Sequence, residues 1–364
     1  MIIRGGSNYE FFKYVAGRKI YIYGAGKNAN EFLEKYSRQI EKLDVCAFID
    51  NNSSKKDGVK FSKRILPVIT EKEFIKLDLN VDETVLLLTM GNFWDVLESL
   101  DSEPSLSSLT CYIYPLIRLE EMDRGVYEKK MPQGCLKDSG DFLIPPIIHY
   151  CWFGKSELPQ LAKKCIESWK YCCPDFEIRL WNEDNYDVEK NPYMFAAYKD
   201  KKWAYVSDYA RVDVVNEYGG IYLDTDVELL RPLDMLMREK AFAGFESGIY
   251  VSFGLGFGAG RNNPVLCDLL NLYADLPWDG GMVACPTFQS KILEKHGLIR
   301  NNTFQRLENI TILPARYLSP MSVNTGRMYD SSESFAVHHY AGSWLNGNLK
   351  RFNELKQRIV YGPF

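Results

Sequence analysis

No apolar run in the 364-residue sequence approaches the roughly 20 residues that a membrane-spanning helix needs. The opening residues Met1-Ile2-Ile3-Arg4-Gly5-Gly6 lack the apolar core of a secretory signal, so a cytoplasmic protein is expected. Peripheral attachment at the inner face of a membrane stays open. The nine cysteines form no CxxC pair and no Cys/His zinc spacing, and Cys172 and Cys173 are adjacent, which fits reduced thiols. An excess of positive charge is also missing. Lys and Arg total 44 against 48 Asp and Glu, a net charge of -4, which speaks against a nucleic-acid partner. Any anionic ligand must then be held by local groups. Internal repeats and low-complexity tracts are absent.

What is present belongs to a globular chain: 46% hydrophobic and 25% charged residues are ordinary for a buried core, and the length suggests two domains. Aromatic residues, at 14%, suit sugar rings and bases as well as a core. In residues 1–118, apolar strands at 19–23, 45–49 and 85–89 alternate with helical stretches at 29–43 and 93–100. That order implies βαβ units around a parallel sheet. The polar stretch 119–143, with Pro132, Gly134 and Gly140, reads as a linker. Residues 144–364 form the second expected domain. Its predicted strands lie at 147–153, 176–181, 221–223, 241–245, 310–313 and 335–338, and its helices at 158–170 and 204–218.

Asp224 and Asp226 stand two apart where the apolar run Gly219-Gly220-Ile221-Tyr222-Leu223 ends. Side chains two apart in extended chain point the same way. Paired carboxylates beside an apolar strand are costly unless neutralised, and a hard divalent cation does this while bridging to a diphosphate. Upstream, Asp208 and Arg211 are three apart and share a helix face. They could simply pair with each other. Alternatively Asp208 accepts from sugar hydroxyls while the planar fork of Arg211 reaches phosphate or sugar oxygens.

The block Ser207-Asp208-Tyr209-Ala210-Arg211, followed by Gly219 to Asp226, resembles the signature of glycosyltransferase family 32. It is also similar to the catalytic domain of the large clostridial glucosylating toxins. Three further blocks agree. They are Ile144 to Gly154 with its Ile-Pro, His and Trp-x-Gly; Ser168-Trp169 with Trp181-Asn182; and His338-His339-Tyr340-Ala341-Gly342-Ser343-Trp344. The resemblance covers about residues 144 to 346. It implies a GT-A type α/β domain preceded by a small Rossmann-like α/β domain. It also implies a retaining transfer from a nucleotide-sugar donor, UDP-sugar first and GDP-mannose second. The acceptor would be a hydroxyl of a glycan or lipid-linked saccharide in cell-surface polysaccharide synthesis, and the cofactor Mn2+ or Mg2+.

Carried over residue by residue, the resemblance makes Trp152 a base-stacking platform. Ser207, Asp208, Arg211 and Tyr222 join it at the donor, and Asp224 contacts the sugar or metal. Asp226 is a direct metal ligand, His338 completes the metal sphere, and Ser343 and Trp344 close over the diphosphate. His339 stays an alternative to His338, because adjacent residues on a strand face opposite ways. For Trp152 a core role is as natural as stacking, and for Tyr222 packing under the acidic pair is the more natural role. His149 reads as a buried structural histidine. The glycine-rich stretch 250–260 resembles the family's strand across the acceptor face; no Lys-Ser/Thr follows it, so it is not a phosphate loop.

In the first domain, Gly24-Ala25-Gly26-xx-Ala29 after a strand fits part of a dinucleotide fingerprint, with Asp50 at the end of the next strand. Gly24, Gly26 and Asp50 are therefore candidates for a second nucleotide site, or only the tight turn of a nucleotide-like fold. An NAD-linked sugar-nucleotide oxidoreductase is the rival enzyme class, although no Tyr-xxx-Lys pair follows in residues 1–118. A carbohydrate-binding protein is the non-enzymatic rival, and it leaves the four charged residues unexplained.

Overall fold

A computed structural model describes residues 1–52, 57–61, 64–342 and 347–361. The chain divides into two compact units. The first comprises Met1–Asp123, Asn324–Arg327 and Phe352–Phe364; the second comprises Arg124–Val323 and Met328–Arg351.

The first unit contains β1 (Ile2–Arg4), β2 (Lys19–Tyr23), β3 (Asp44–Ile49), β4 (Val59–Phe61), β5 (Arg64–Leu66), β6 (Val68–Ile69), β7 (Thr84–Leu88) and β8 (Thr110–Ile113). Six of them make a parallel sheet in the order β1-β8-β7-β2-β3-β6, and β4 pairs with β5. Every residue of β7 is buried, as a central strand covered on both faces requires. Gly24 takes φ +91 at the end of β2, and a Cβ there would sit 2.9 Å from Thr89 Oγ1. Gly26 opens the helix Lys27–Lys35 with no side-chain cap. Asp50 stands at the end of β3 with both carboxylate oxygens on backbone N–H groups. Its Oδ2 accepts the Ala25 N–H and its Oδ1 the Asn52 N–H, both at 3.0 Å, so the carboxylate ties the loop to the strand end. The helix expected over 29–43 breaks at Tyr36, which has φ -117 and ψ 25, and resumes at Ser37–Ile40.

The stretch read as a linker from 119 starts inside the helix Tyr114–Tyr127. Within that stretch Glu120 and Asp123 are both buried. Asn324 donates to Asp123 at 2.9 Å, Thr325 donates to Glu120 at 3.2 Å, and Arg327 pairs with Glu120 at 3.1 Å. The partners that make these charges tolerable in a helix lie some 200 residues away, beyond any local pattern.

The second unit contains β9 (Ile147–Cys151), β10 (Glu177–Trp181), β11 (Gly220–Tyr222), β12 (Val227–Leu229), β13 (Ala241–Phe245), β14 (Val251–Ser252), β15 (Phe257–Ala259), β16 (Gln305–Arg306), β17 (Thr311–Leu313) and β18 (Ala336–His338). The sheet order is β10-β9-β11-β15-β13-β17-β16, with β14 on β13, and β12 pairs with β18 separately. β10, β9 and β11 run parallel, and β15 reverses direction beside β11. The helix Trp203–Tyr218 ends at Gly219, φ +66, and feeds β11. Gly220 takes φ +113, and a Cβ there would meet the Ile147 carbonyl at 2.7 Å and His149 Nε2 at 2.9 Å. Two glycines thus let β11 slide in against β9. His149 is buried as expected: Trp181 donates to its Nδ1 at 3.0 Å, and its Nε2 meets the Gly219 carbonyl at 2.8 Å. Burial lowers its pKa to about 4, which keeps it neutral. The strand expected over 250–260 is interrupted by a 3-10 turn at Phe253–Leu255. No helix among the described residues is long and apolar enough to cross a membrane.

Candidate active site

Leu223 continues β11 by donating its N–H to the His149 carbonyl, and the chain then turns through Asp224, Thr225 and Asp226 into β12. Because β12 pairs with β18, Val227 lies opposite His338. That register brings a histidine to the acidic turn from more than a hundred residues away. One oxygen from each of Asp224 and Asp226 and one nitrogen of His338 lie within 4.8 Å of one another. His338 Nε2 is 3.2 Å from Asp226 Oδ1 and 4.0 Å from Asp224 Oδ2. His339 turns to the other side of the strand, where its Nε2 lies 2.8 Å from Glu228. The geometry therefore sets His338, and not His339, beside the two carboxylates.

The remaining oxygens are committed. Asp226 Oδ2 accepts the Ala341 N–H at 2.9 Å. Asp224 Oδ1 accepts the Tyr222 hydroxyl at 2.9 Å and lies 3.3 Å from Arg211 Nη2. Arg211 Nη2 also pairs with Asp208 Oδ1 at 3.0 Å, so one guanidinium serves both carboxylates. The choice between an internal pair and a ligand-facing pair is thus resolved as a shared network. Asp208 and Arg211 side chains are only 8% and 5% exposed, whereas Asp224, Asp226 and His338 keep 25%, 18% and 12%. Access from solvent is through the latter three.

Tyr222 packs under the acidic pair, the role read as the more natural one for it. It is buried, its ring lies under the Arg211 guanidinium at 5.0 Å, and its hydroxyl is spent on Asp224, so it supports that carboxylate. Ser207 gives its hydroxyl to the Trp203 carbonyl at 3.1 Å, and its own carbonyl accepts from Arg211 Nε. Trp152 is half-buried just beyond β9 and donates its ring N–H to the Ser156 carbonyl. Ser343 and Trp344 lie outside the described residues.

Electrostatics follow the contacts. Burial raises the pKa of Asp224 and of Asp208, with Arg211 opposing in both. Burial alone would raise Asp226 too, but the His338 charge and hydrogen bond hold it at about 2. Burial would lower His338, and Asp226 and Asp224 reverse that, so its pKa is raised. Without a cation the site thus holds an imidazolium against a carboxylate. By linkage, the raised histidine adds stability below its unfolded value and loses it as pH rises through the folded one. The depressed Asp226 adds stability above 3.8 and loses it as pH falls towards about 2. Ring-proton NMR is expected to show His338 titrating above 6.5 and to show its midpoint dropping in Asp226→Asn. An unmoved midpoint would contradict the pairing.

Two contributors escaped the sequence. Glu246 directly follows β13 and its charge reaches both His338 and Tyr340. An acid directly after a predicted strand, as at Asp224, was the available signal. Cys285 opens the helix Cys285–Lys295 with its thiol against Asp208, and burial together with that carboxylate pushes its pKa well up. Nothing local marked it.

Two oxygens and an imidazole nitrogen are a suitable donor set for a divalent cation. His338 Nε2 faces both carboxylates while its Nδ1 is buried without a partner among the described residues. The residues present fit a metal. The parallel strands β10, β9 and β11 lead directly into this acidic turn.

Residues 159–243 match the model described as "Glycosyltransferase sugar-binding region containing DXD motif". Inositol phosphoceramide mannosyltransferase 3 of Schizosaccharomyces pombe is 33% identical over 130 residues, which is 32% of this chain and 34% of that protein. The match thus spans about a third of that relative's length. Alpha-1,4-N-acetylglucosaminyltransferase of Homo sapiens is 22% identical over 269 residues, covering 69% of this chain and 77% of that protein. Among solved structures, "PaToxG Glycosyltransferase" overlaps 42% of this chain and 69% of its own, at 19% identity and a TM-score of 0.35. Residues 159–243, which run from the helix after β9 through the acidic turn to β13, are thus similar to a glycosyltransferase sugar-binding region containing a DXD motif.

Proposed function

We propose that the chain is a retaining, metal-dependent glycosyltransferase. It moves a sugar from a nucleoside-diphosphate donor to a hydroxyl of a glycan or lipid-linked acceptor in surface-polysaccharide synthesis. The observation that carries this is the convergence of Asp224 Oδ2, Asp226 Oδ1 and His338 Nε2 beside the Arg211–Asp208 pair. Asp226 and His338, with Asp224, would hold Mn2+ or Mg2+, which supplies positive charge to the departing diphosphate. Arg211 fixes Asp224 and adds a second positive charge at the same place. Asp208, paired with Arg211, is the candidate acceptor for a sugar hydroxyl that reaches behind Asp224. Trp152 offers an aromatic face to the base, and Ser343 and Trp344 close over the diphosphate.

The acceptor hydroxyl attacks the anomeric carbon from the side on which the diphosphate leaves. The C–O bond to the diphosphate breaks, the new glycosidic bond forms, and the hydroxyl proton passes to a diphosphate oxygen. The donor is a UDP-sugar first and GDP-mannose second. The human relative's name specifies N-acetylglucosamine and the yeast relative's name specifies mannose, so both sugars belong in the test.

Purified protein is incubated with UDP-N-acetylglucosamine, UDP-glucose, UDP-galactose and GDP-mannose, with and without Mn2+. One donor is expected to release its nucleoside diphosphate only with the metal, and chelation should stop the release. Proton NMR of the transferred sugar then reads the anomer. An inverted linkage rules out the same-side transfer, and metal-independent release rules out the metal role.

A further inference from the structure

Gly254 sits in the 3-10 turn Phe253–Leu255, and its missing side chain borders the acidic turn. A Cβ at this position would lie 2.6 Å from Asp224 Oδ2 and 3.2 Å from Arg211 Nη1. Oδ2 is the oxygen that faces His338 Nε2. Its partner Oδ1 is already taken by Tyr222 and Arg211, so the carboxylate cannot swing aside without breaking those bonds.

The turn cannot easily retreat either. Gln289 Oε1 accepts the Phe253 N–H and Ser290 Oγ accepts the Val251 N–H, both at 2.9 Å. Both acceptors lie fully buried on the helix Cys285–Lys295. The turn and the acidic pair are thus pressed together from two anchored sides, and glycine is the residue that lets them meet. Gly254 is not among the glycines with positive φ, so alanine is permitted by the backbone and only the contact is at stake.

We propose that Gly254 is a positioning residue that fixes the metal-facing oxygen of Asp224, and so sets the affinity of the site for its divalent cation. This rests on the metal-dependent reading above. The test is Mn2+ binding itself, followed by the fall in the free-ion EPR signal, with the full chain and no nucleotide present. Gly254→Ala is expected to raise the Mn2+ Kd about tenfold, which is about 1.4 kcal/mol. The melting temperature without metal should move by no more than a few degrees. In an Asp224→Asn background the same substitution is expected to add little, because the effect runs through that carboxylate.

A Gly254→Ala protein that folds and binds Mn2+ as tightly as the parent overturns the proposal. So does an equal, additive loss in the Asp224→Asn background. Should Gly254→Ala not fold, Gln289→Ala tests the same contact: it removes the tether on Phe253, and the Kd is expected to rise about threefold. An unchanged Kd there also overturns the proposal. A parent protein that binds no Mn2+ refutes the metal reading instead, so the two failures are told apart.

Discussion

Asp226→Asn is expected to lose at least about 10³-fold in metal-dependent turnover, roughly 4 kcal/mol of transition-state stabilisation, while keeping its fold. The asparagine carbonyl can still accept the Ala341 N–H, so the tie between the acidic turn and residues 338–342 survives. What disappears is the charge on the oxygen that faces His338. That charge is what makes the site attractive to a cation, and in its absence the histidine loses the partner that raises its pKa. Steady-state release of nucleoside diphosphate across a Mn2+ series measures the loss, and a thermal melt checks the fold. Near-parental turnover would remove Asp226 from the metal site. Asp226→Ala is expected to lose as much activity and somewhat more stability, because the Ala341 bond goes too.

The largest effect on stability is expected at Arg211. Arg211→Ala leaves Asp208 and Asp224 without their shared cation in surroundings where both already have raised pKa values. Breaking a buried pair from one side typically costs about 3–5 kcal/mol. In a unit of this size that is a drop in melting temperature of roughly 10 °C. Lysine is a poor replacement, since one ammonium cannot meet both carboxylates and also supply the Nε–H bond to the Ser207 carbonyl. The check is a double-mutant cycle by denaturant unfolding. Adding Asp224→Asn to Arg211→Ala is expected to recover part of the stability, because one orphaned charge is removed. Strict additivity would mean that Arg211 and Asp224 do not depend on each other. Turnover should not recover, because the charge lost at Asp224 belongs to the proposed metal site.

Much of the architecture was legible because it is written in short-range patterns. Buried parallel strands read as apolar runs, and the observed β2, β3, β7, β9, β10 and β13 fall at the expected places within a residue or two. The double glycine after the helix Trp203–Tyr218 marks its stop, and the structure adds the close approach to β9. What the local pattern left out has one cause. Glu120 and Asp123 resembled linker residues because their partners at 324–327 are remote in sequence. At Asp50, position at a strand end could not show that each carboxylate oxygen accepts a backbone N–H.

The same division holds at the site. By itself, the sequence determined that Asp208, Arg211, Asp224 and Asp226 form one charged constellation at a helix face and a strand end, because periods of 3.6 and 2 residues are local geometry. It could not rank His338 against His339. The tertiary structure separated their surroundings, through the antiparallel register that sets His338 opposite Val227 and sends His339 to Glu228. It also set the Tyr222 hydroxyl on Asp224 and brought Gly254 against that carboxylate. Which residues can do chemistry is a property of their types and spacing. Which atoms remain free to do it depends on every other partner that folding brings within bonding distance, and those partners come from strands far apart in the chain.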